Sequence, residues 1–278
     1  MAIKKQDKLA LDFQQLHHRD KMLILPNVWD VGSARIFESQ GFGALATTSA
    51  GIAYSKGFAD GEKLTIEDMV NATGRIAQRI SLPLSVDLEK GYGDSAEEVK
   101  NNVRRIIEAG AVGINLEDGN DTADPYLDHL PLVLDKIKAL DELKKEMGVP
   151  FVINARSCAF WLQIGLEKDR VELAIDRANA FADAGADCIF LPGSISKTTL
   201  MILLRDINSP INIIANPTFN NLPEMENMGV KRLSIGSGAV RAALGHTIRV
   251  AQELKDYKID SILGNELTYA RANELFGG

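Results

Sequence analysis

Two carboxylates lie one residue apart at the end of a short apolar run, and a third follows the next such run. Asp87 and Glu89 belong to the stretch LPLSVDLEKGYGD, and Glu117 ends the stretch GINLE. Residues i and i+2 of a strand face the same side, so Asp87 and Glu89 share one face. Three carboxylates at one place repel each other without a cation, and Mg²⁺ takes oxygen ligands. We predict a Mg²⁺ site here, with arginine pairing or helix capping as the alternative.

Arg156, in the stretch INARS after a later apolar run, is the cation best placed to serve the same region. A guanidinium can hold a substrate carboxylate or phosphonate through two parallel hydrogen bonds. The competing interpretation is a structural ion pair with Glu117 or Asp118. Both roles can hold at once.

Two loops supply further candidate groups. The small residues of TTSAGIA, among them Thr48, Ser49 and Ala50, allow a ligand to approach the backbone, whose N–H groups can bind an anion. The glycine-flanked loop GFADGEKL contains Asp60 and is either a surface turn or a lid over the site. We therefore predict that these loops border the same site as the carboxylates.

Other catalytic chemistries are not indicated. None of the four histidines ends an apolar run, so no Ser-His-Asp order is predicted. No lysine lies inside an apolar run, which argues against a Schiff-base enzyme. Lys90 follows the third run and is interpreted as a charged loop residue.

The elements that position these residues are eight short apolar runs with helical stretches between them. Continuous apolar strands that alternate with helices, such as 65–80, 95–109, 130–147 and 169–184, indicate a parallel sheet covered on its outer face. The predicted strands are MLILP (22–26), ALATT (44–48), LSVDL (84–88), GINLE (113–117), FVINA (151–155), CIFLP (188–192), INIIA (211–215) and RLSIG (232–236).

The connections into the strands favour a closed barrel. Glycine, which ends helices in the left-handed conformation, precedes the even-numbered strands, and proline precedes the third, fifth and seventh. This alternation predicts a (β/α)8 barrel with one domain over residues 1–278, a helical extension over 1–20 and a tail over 259–278. Active sites of such barrels lie at the carboxyl ends of the strands, where Trp29 and Asn216 also fall, and we predict that both bind substrate.

Composition excludes several classes of partner. The chain of 278 residues has a net charge of −7, whereas proteins that wrap nucleic acid are usually basic. No apolar run has the length of a membrane span, and no secretory signal begins the chain. Cys158 and Cys188 form no CxxC pair and are predicted to be buried free thiols, so we expect a cytoplasmic protein.

Several stretches together resemble the isocitrate lyase/phosphoenolpyruvate mutase superfamily, a group that includes the phosphoenolpyruvate phosphonomutases. They occur in order from about residue 20 to about residue 255: LPNVWDVGSARIFESQGFGALATTSAGIA, PLSVDLEKGYGD, EAGAVGINLEDG, FVINARS and ADAGADCIFLPG. The resemblance implies a Mg²⁺-dependent enzyme that forms or cleaves a C–C or P–C bond next to a 2-oxo carboxylate through an enolate.

The resemblance also implies residue roles. Asp87 corresponds to the direct Mg²⁺ ligand, Glu89 to a ligand acting directly or through water, and Glu117 to the acid after the fourth strand. Thr48, Ser49 and Ala50 match the turn that binds the substrate carboxylate, Arg156 the arginine after strand five, and Asp60 the aspartate of a gating loop. For the acid/base, Asp60, Tyr92 and a metal-bound water are the alternatives.

Departures from the family pattern narrow the reaction. The lyases of the family carry a K-x-C-G-H stretch with a catalytic cysteine, whereas this chain reads EDGNDTADPYLDHL. The phosphonomutases carry a histidine after strand six, where this chain reads FLPGS, and only Asn120 can replace their loop asparagine. We expect neither an isocitrate or methylisocitrate lyase nor a true phosphoenolpyruvate mutase, but a divergent branch with a changed acid/base loop.

Three functions follow as hypotheses. The first is a lyase, decarboxylase or hydrolase acting on a small oxo or hydroxy di-acid, the second a phosphonomutase acting on phosphonopyruvate or carboxyphosphonoenolpyruvate, and the third a non-catalytic barrel that only binds. The resemblance also implies a homodimer or homotetramer that exchanges the last barrel helix, within GAVRAALGHTIRVAQELKDYK. Packing of that helix on its own barrel is the alternative.

Overall fold

Eight parallel strands close into a barrel in the computed structural model, which describes residues 2–264 and 267–277. The first strand has two parts separated by Pro26, and these parts pair with the eighth and second strands respectively, which closes the sheet. The predicted (β/α)8 barrel is confirmed. In chain order the barrel strands are Leu23–Leu25 with Asn27–Val28, Leu45–Thr47, Leu84–Asp87, Gly113–Glu117, Val152–Arg156, Cys188–Phe190, Ile211–Ile214 and Arg232–Ser234.

Helices surround the barrel and follow the predicted pattern. Gly41, Gly110, Gly185 and Gly229, which precede the even-numbered strands, all have positive φ as predicted. Ser95 caps the helix after the third strand and forms a capping box with Glu98. The described helices are Ala2–Leu16, Val31–Ser39, Ser49–Ser55, Ile66–Ala77, Ala96–Glu108, Leu130–Met147, Glu167–Asp183, Lys197–Asp206, Leu222–Met228, Gly238–Lys255, Asp260–Leu263 and Tyr269–Phe276.

The amino-terminal helix closes the barrel at the end opposite to the carboxyl ends of the strands. Its Phe13 is fully buried, and a Cβ on Gly113 of the fourth strand would lie 2.7 Å from the Phe13 ring. Apolar side chains fill the space between strands and helices, whereas polar side chains from several strands are buried inside the barrel, among them Ser85, Asn154 and Asn212. The barrel interior therefore has the polar character of a site rather than of an apolar core.

The chain after the eighth strand leaves the barrel and returns to it. Val240 is the buried residue of the long helix Gly238–Lys255, whose other described side chains are exposed or half-buried. The last helix, Tyr269–Phe276, lies against the first barrel helix, and its Leu275 carbonyl accepts a hydrogen bond from Arg35 at 3.3 Å. None of the described helices is long and apolar enough to cross a membrane.

Candidate active site

A cavity of about 500 Å³ opens at the carboxyl ends of the strands. Of the residues singled out in the sequence, it is lined by Thr48, Ser49, Ala50, Asp60, Asp87, Glu89, Glu117 and Arg156. These come from the second to fifth strands and their following loops, since a parallel barrel brings those loops to one end.

Asp87 ends the third strand and is held from two sides. One carboxylate oxygen accepts hydrogen bonds from the backbone N–H and the hydroxyl of Ser49, at 3.2 and 3.0 Å. The other accepts a hydrogen bond from the side-chain amide of Asn115 at 3.2 Å. Its backbone N–H donates to the Thr47 hydroxyl at 2.9 Å. The carboxylate therefore has a defined orientation on the rigid end of a strand.

Glu89 is buried in a left-handed turn beside Asp87. Its φ is 49° and its side chain accepts hydrogen bonds from the Glu62 backbone N–H at 2.7 Å and the Tyr92 hydroxyl at 3.1 Å. Burial raises the pKa of Glu89 to about 8, and the nearby carboxylates of Asp87, Asp60 and Glu117 raise it in the same direction. A cation beside Glu89 would relieve this repulsion.

Glu117 and Arg156 form an ion pair across neighbouring strands. The distance from Arg156 Nη1 to Glu117 Oε2 is 2.6 Å, which confirms the alternative of an ion pair with Glu117, whereas Asp118 pairs with Arg177 at 2.7 Å. The guanidinium also lies 5.5 Å from the Trp161 ring centroid. Burial raises the pKa of Glu117 to about 7, because it outweighs the opposing effect of Arg156.

The donor set fits a hard divalent cation held partly through water. No three His, Cys, Asp or Glu side chains of residues 2–264 and 267–277 form a ready-made ligand cluster. Mg²⁺ needs only one or two direct carboxylates and keeps several waters. Burial, and after it the neighbouring carboxylates, raise the pKa of Glu89 and Glu117, so a cation in this cavity would offset an excess of negative charge. Asp87, Glu89 and Glu117 all line the cavity and are the residues that would hold it.

The turn after the second strand begins a short helix. Thr48 is its N-cap, and its side chain accepts a hydrogen bond from the Gly51 backbone N–H. Glycine is required there, because a Cβ would lie 2.6 Å from Thr48 Cγ2 and 2.7 Å from Trp29 Cβ. Thr48, Ser49 and Ala50 all line the cavity, and the backbone N–H and hydroxyl of Ser49 donate to Asp87.

The loop over residues 57–64 reaches the same cavity. Asp60 is exposed to solvent but lines the cavity, and partial burial, followed by the charge of Asp87, raises the pKa of its carboxyl. Glu62 joins this loop to the turn after Asp87, because its carboxylate accepts hydrogen bonds from the backbone N–H groups of Lys90 and Tyr92, both at 3.0 Å.

The loop after Glu117 forms a small hairpin that the sequence did not reveal. Gly119–Asn120 pairs antiparallel with Tyr126–Leu127. The side chain of Asn120 binds Lys90 at 2.5 Å and Asp128 at 2.7 Å instead of lining the cavity, where Asp121 is found.

Three predicted residues lie outside the cavity wall. Trp29 is half-buried and packs beside Gly51, whereas Asn216 binds the backbone of its own loop, for example the Phe219 N–H at 3.1 Å. Tyr92 also lies outside the cavity wall, and its hydroxyl donates a hydrogen bond to Glu89.

Five residues that line the cavity or bind its acids were not predicted from the strand ends: Asn115, Glu62, Asp121, Cys158 and Arg241. Asn115 precedes a strand end by two residues and was the one that side-chain alternation alone could have found.

A family model described as phosphoenolpyruvate phosphomutase matches residues 13–255. The chain belongs to this family. It is thereby an enzyme of the isocitrate lyase/phosphoenolpyruvate mutase superfamily, as the motifs implied. An uncharacterised protein of Mycobacterium tuberculosis is 32% identical over 88% of this chain and 90% of its own length.

Relatives within the superfamily have different reactions. A 2-methylisocitrate lyase of Salmonella typhimurium is 31% identical over 66% of this chain and 62% of its own. An oxaloacetate decarboxylase of Rhodopseudomonas palustris is 27% identical over 83% and 79%.

Solved structures confirm the fold. A candidate lyase/mutase from Burkholderia cenocepacia superposes with a TM-score of 0.91 at 32% identity, covering 99% of this chain and 98% of that one. An oxaloacetate acetylhydrolase in complex with the product oxalate gives a TM-score of 0.85 at 26% identity, over 97% and 94%.

Proposed function

We propose that the protein is a Mg²⁺-dependent enzyme that cleaves a C–C bond next to a 2-oxo carboxylate, of lyase, decarboxylase or hydrolase type. Its substrate is a small oxo or hydroxy di-acid. The observation that carries the proposal is the meeting of four acids, Asp60, Asp87, Glu89 and Glu117, with Arg156 in one cavity at the carboxyl ends of the strands.

The residues divide the chemistry between them. Asp87 would hold Mg²⁺, with Glu89 and Glu117 in support, and the bound ion would supply a Lewis acid beside the 2-oxo group. The turn at Thr48, Ser49 and Ala50 binds the substrate carboxylate through its donors.

Arg156 and Asp60 complete the proposed machinery. The guanidinium of Arg156 lies against the rings of Trp161 and Phe190, which limits its movement, and it binds a substrate carboxylate. Asp60 is the better acid/base than Tyr92, because its carboxyl lines the cavity and burial and the charge of Asp87 raise its pKa. Tyr92 lies outside the cavity wall, its hydroxyl donates to Glu89, and burial raises its pKa further.

The substrate class follows from the charges and the relatives. Arg241, near the start of the long helix, also lines the cavity and supplies a second cation for a second carboxylate. The relatives named for oxaloacetate chemistry favour a four-carbon oxo di-acid over methylisocitrate, since this chain lacks the K-x-C-G-H stretch.

The test is turnover with and without metal. We expect pyruvate from oxaloacetate or a substituted malate in the presence of Mg²⁺, and loss of turnover with EDTA or in the variant Asp87→Ala. Asp94→Ala, an exposed residue of the same segment, is the matched control and should retain activity. A turnover rate that is changed neither by EDTA nor by the substitution Asp87→Ala would refute the mechanism.

Phosphonopyruvate in the same assay separates the mutase alternative. Phosphorus NMR would then show phosphorus moving between carbon and oxygen without release of phosphate. Formation of pyruvate from a di-acid with no such movement excludes the mutase.

We further propose a homodimer or homotetramer that exchanges the long helix Gly238–Lys255. Leu244, Ile248 and Leu254 of this helix are 42%, 58% and 52% exposed, a concentration of apolar surface that favours a protein partner. The buried free thiols of Cys158 and Cys188 support the proposed cytoplasmic location.

A further inference from the structure

A fully buried arginine lies inside the barrel below the cavity. Arg232 of the eighth strand is 0% exposed, and no carboxylate of the described residues pairs with it. Its Nη1 lies 3.4 Å from His17 Nε2, its guanidinium lies 5.9 Å from the Phe13 ring centroid, and its Nε has no hydrogen-bond partner among those residues. Burying a charge with incomplete hydrogen bonding is costly, which points to a role beyond stability.

His17 does not neutralise this charge. Burial, followed by the charge of Arg232, lowers the pKa of His17 to about 3, so the imidazole is neutral. Burial lowers the pKa of Arg232, and among the carboxylates it is Asp87, in the cavity above, that opposes this shift.

One side chain connects Arg232 with Asp87. The amide oxygen of Asn115 accepts hydrogen bonds from Arg232 Nη2 at 3.3 Å and Asn154 Nδ2 at 2.7 Å. The amide nitrogen of Asn115 donates to Asp87 Oδ1 at 3.2 Å. Because a guanidinium has donors and no acceptor, Asn115 must turn its oxygen toward Arg232, and its NH₂ group then faces Asp87.

We propose that Arg232 is a positioning residue for Asp87: acting through the side-chain amide of Asn115, it sets the orientation of the metal-binding carboxylate. Ser49 holds Oδ2 of Asp87 from the cavity wall, and Asn115 holds Oδ1 from below. Without Arg232 only Asn154 holds the Asn115 oxygen, so the amide is less firmly oriented and its hydrogen bond to Asp87 weakens. This inference rests on the proposed Mg²⁺ site at Asp87.

The test is the affinity of the full-length protein for Mg²⁺ by titration calorimetry, without substrate. We expect Arg232→Met to weaken binding about ten-fold, since loss of a residue that orients a ligand typically costs 10–100-fold. Arg232→Lys keeps the charge and the donors and should recover part of the affinity. Asn115→Ala should weaken binding as well, and adding Arg232→Met to it should cause little further loss, because both act along one path.

Asn212→Ala is the matched control. Asn212 lies beside Arg232 in the strand register, and its side chain binds Ser234 instead of the path to Asp87, so its variant should keep the parent affinity. If Arg232→Met does not fold by circular dichroism, Arg232→Gln, which removes the charge but keeps an amide, replaces it with the same expectation.

Three results would overturn the inference. A folded Arg232 variant without charge that keeps the parent affinity refutes the role of Arg232 alone. Fully additive losses in the double variant refute the path through Asn115. A parent protein that does not bind Mg²⁺ refutes the proposed metal site, and the inference with it.

Discussion

Glu89 and Glu117 hold their protons more tightly than free carboxyl groups do, because they are buried among like charges. A raised pKa in the folded state means that the folded protein binds more protons than the unfolded chain between the two pKa values. Stability of the metal-free protein therefore falls as the pH rises from about 4.5 toward 8. A bound divalent cation opposes this effect and favours the ionised acids.

Glu89→Gln should remove the contribution of Glu89 to this dependence. At pH 5 the metal-free variant and parent should have similar free energies of unfolding, since Glu89 is then protonated. At pH 9 the variant should be more stable, on the order of 3 kcal/mol, because it lacks the buried charge. Urea unfolding with EDTA at both pH values measures this; a variant less stable than the parent at pH 9 would contradict the placement of Glu89.

Arg156→Lys should weaken the binding of oxalate in the presence of Mg²⁺ about ten-fold or more. Lysine keeps the charge but loses the planar pair of donors and the stacking on Trp161. Titration calorimetry measures the change. Arg104→Lys, which alters an exposed pair with Glu146, is the control and should bind oxalate as the parent does; equal affinity in both variants would remove Arg156 from the site.

The sequence located strand-end residues better than the others that border the site. Asp87, Glu117 and Arg156 end strands, and alternation plus chain order was sufficient to bring them together. Arg232 lies at a strand start, and Arg241 lies on a helix, where it reaches the cavity through the path of the chain after the eighth strand. Their positions depend on packing that no local pattern reveals.

Among the elements, the loop over residues 57–64 and the turn after Asp87 form one unit. Glu62 joins them by accepting two backbone hydrogen bonds from the turn and donating its own N–H to Glu89. Closing the loop thus completes the hydrogen bonding of a proposed metal ligand. The loop that carries Asp60 is therefore expected to open less readily when the metal site is intact.

Glu62→Ala should free this loop. Losing the two carboxylate hydrogen bonds, each worth about 1 kcal/mol, raises the open fraction, and cleavage by trypsin after Lys63 should become on the order of ten-fold faster. Glu67→Ala, which breaks an exposed pair with Arg105 on the next helix, is the control. Unchanged cleavage of Glu62→Ala would show that the loop is held by other contacts.

Strands were predicted correctly where an apolar run follows a glycine or proline that ends the preceding helix. All eight strands were marked by an apolar run, and seven of them, all but the first, also by a glycine or proline before it. The helix Ser49–Ser55 was taken for a turn because its small residues and Gly51 carry little helical signal. The hairpin at Gly119–Asn120 was missed because its strands are two residues long, too short to show a periodic pattern.

At the scale of the whole molecule, the long helix Gly238–Lys255 is the proposed contact between subunits. Ile248→Asp should give a lower mass in light scattering coupled to gel filtration, because a charge on the apolar face opposes burial in a partner. Met201→Asp alters an equally exposed apolar residue on another helix and should leave the mass unchanged. A monomeric parent protein would contradict the exchange.

The hairpin after Glu117 has a consequence for how such enzymes diversify. Buried Asp118 anchors its base, with hydrogen bonds to Arg177 and to the Cys158 backbone, and Gly119 fits against Cys158. The residues 121–125 beyond this base are exposed. Their replacement would leave the buried carboxylates undisturbed. Residues 121–125 are therefore a segment in which evolution, or a protein engineer, can introduce a new proton donor while the residues of the proposed metal site stay unchanged.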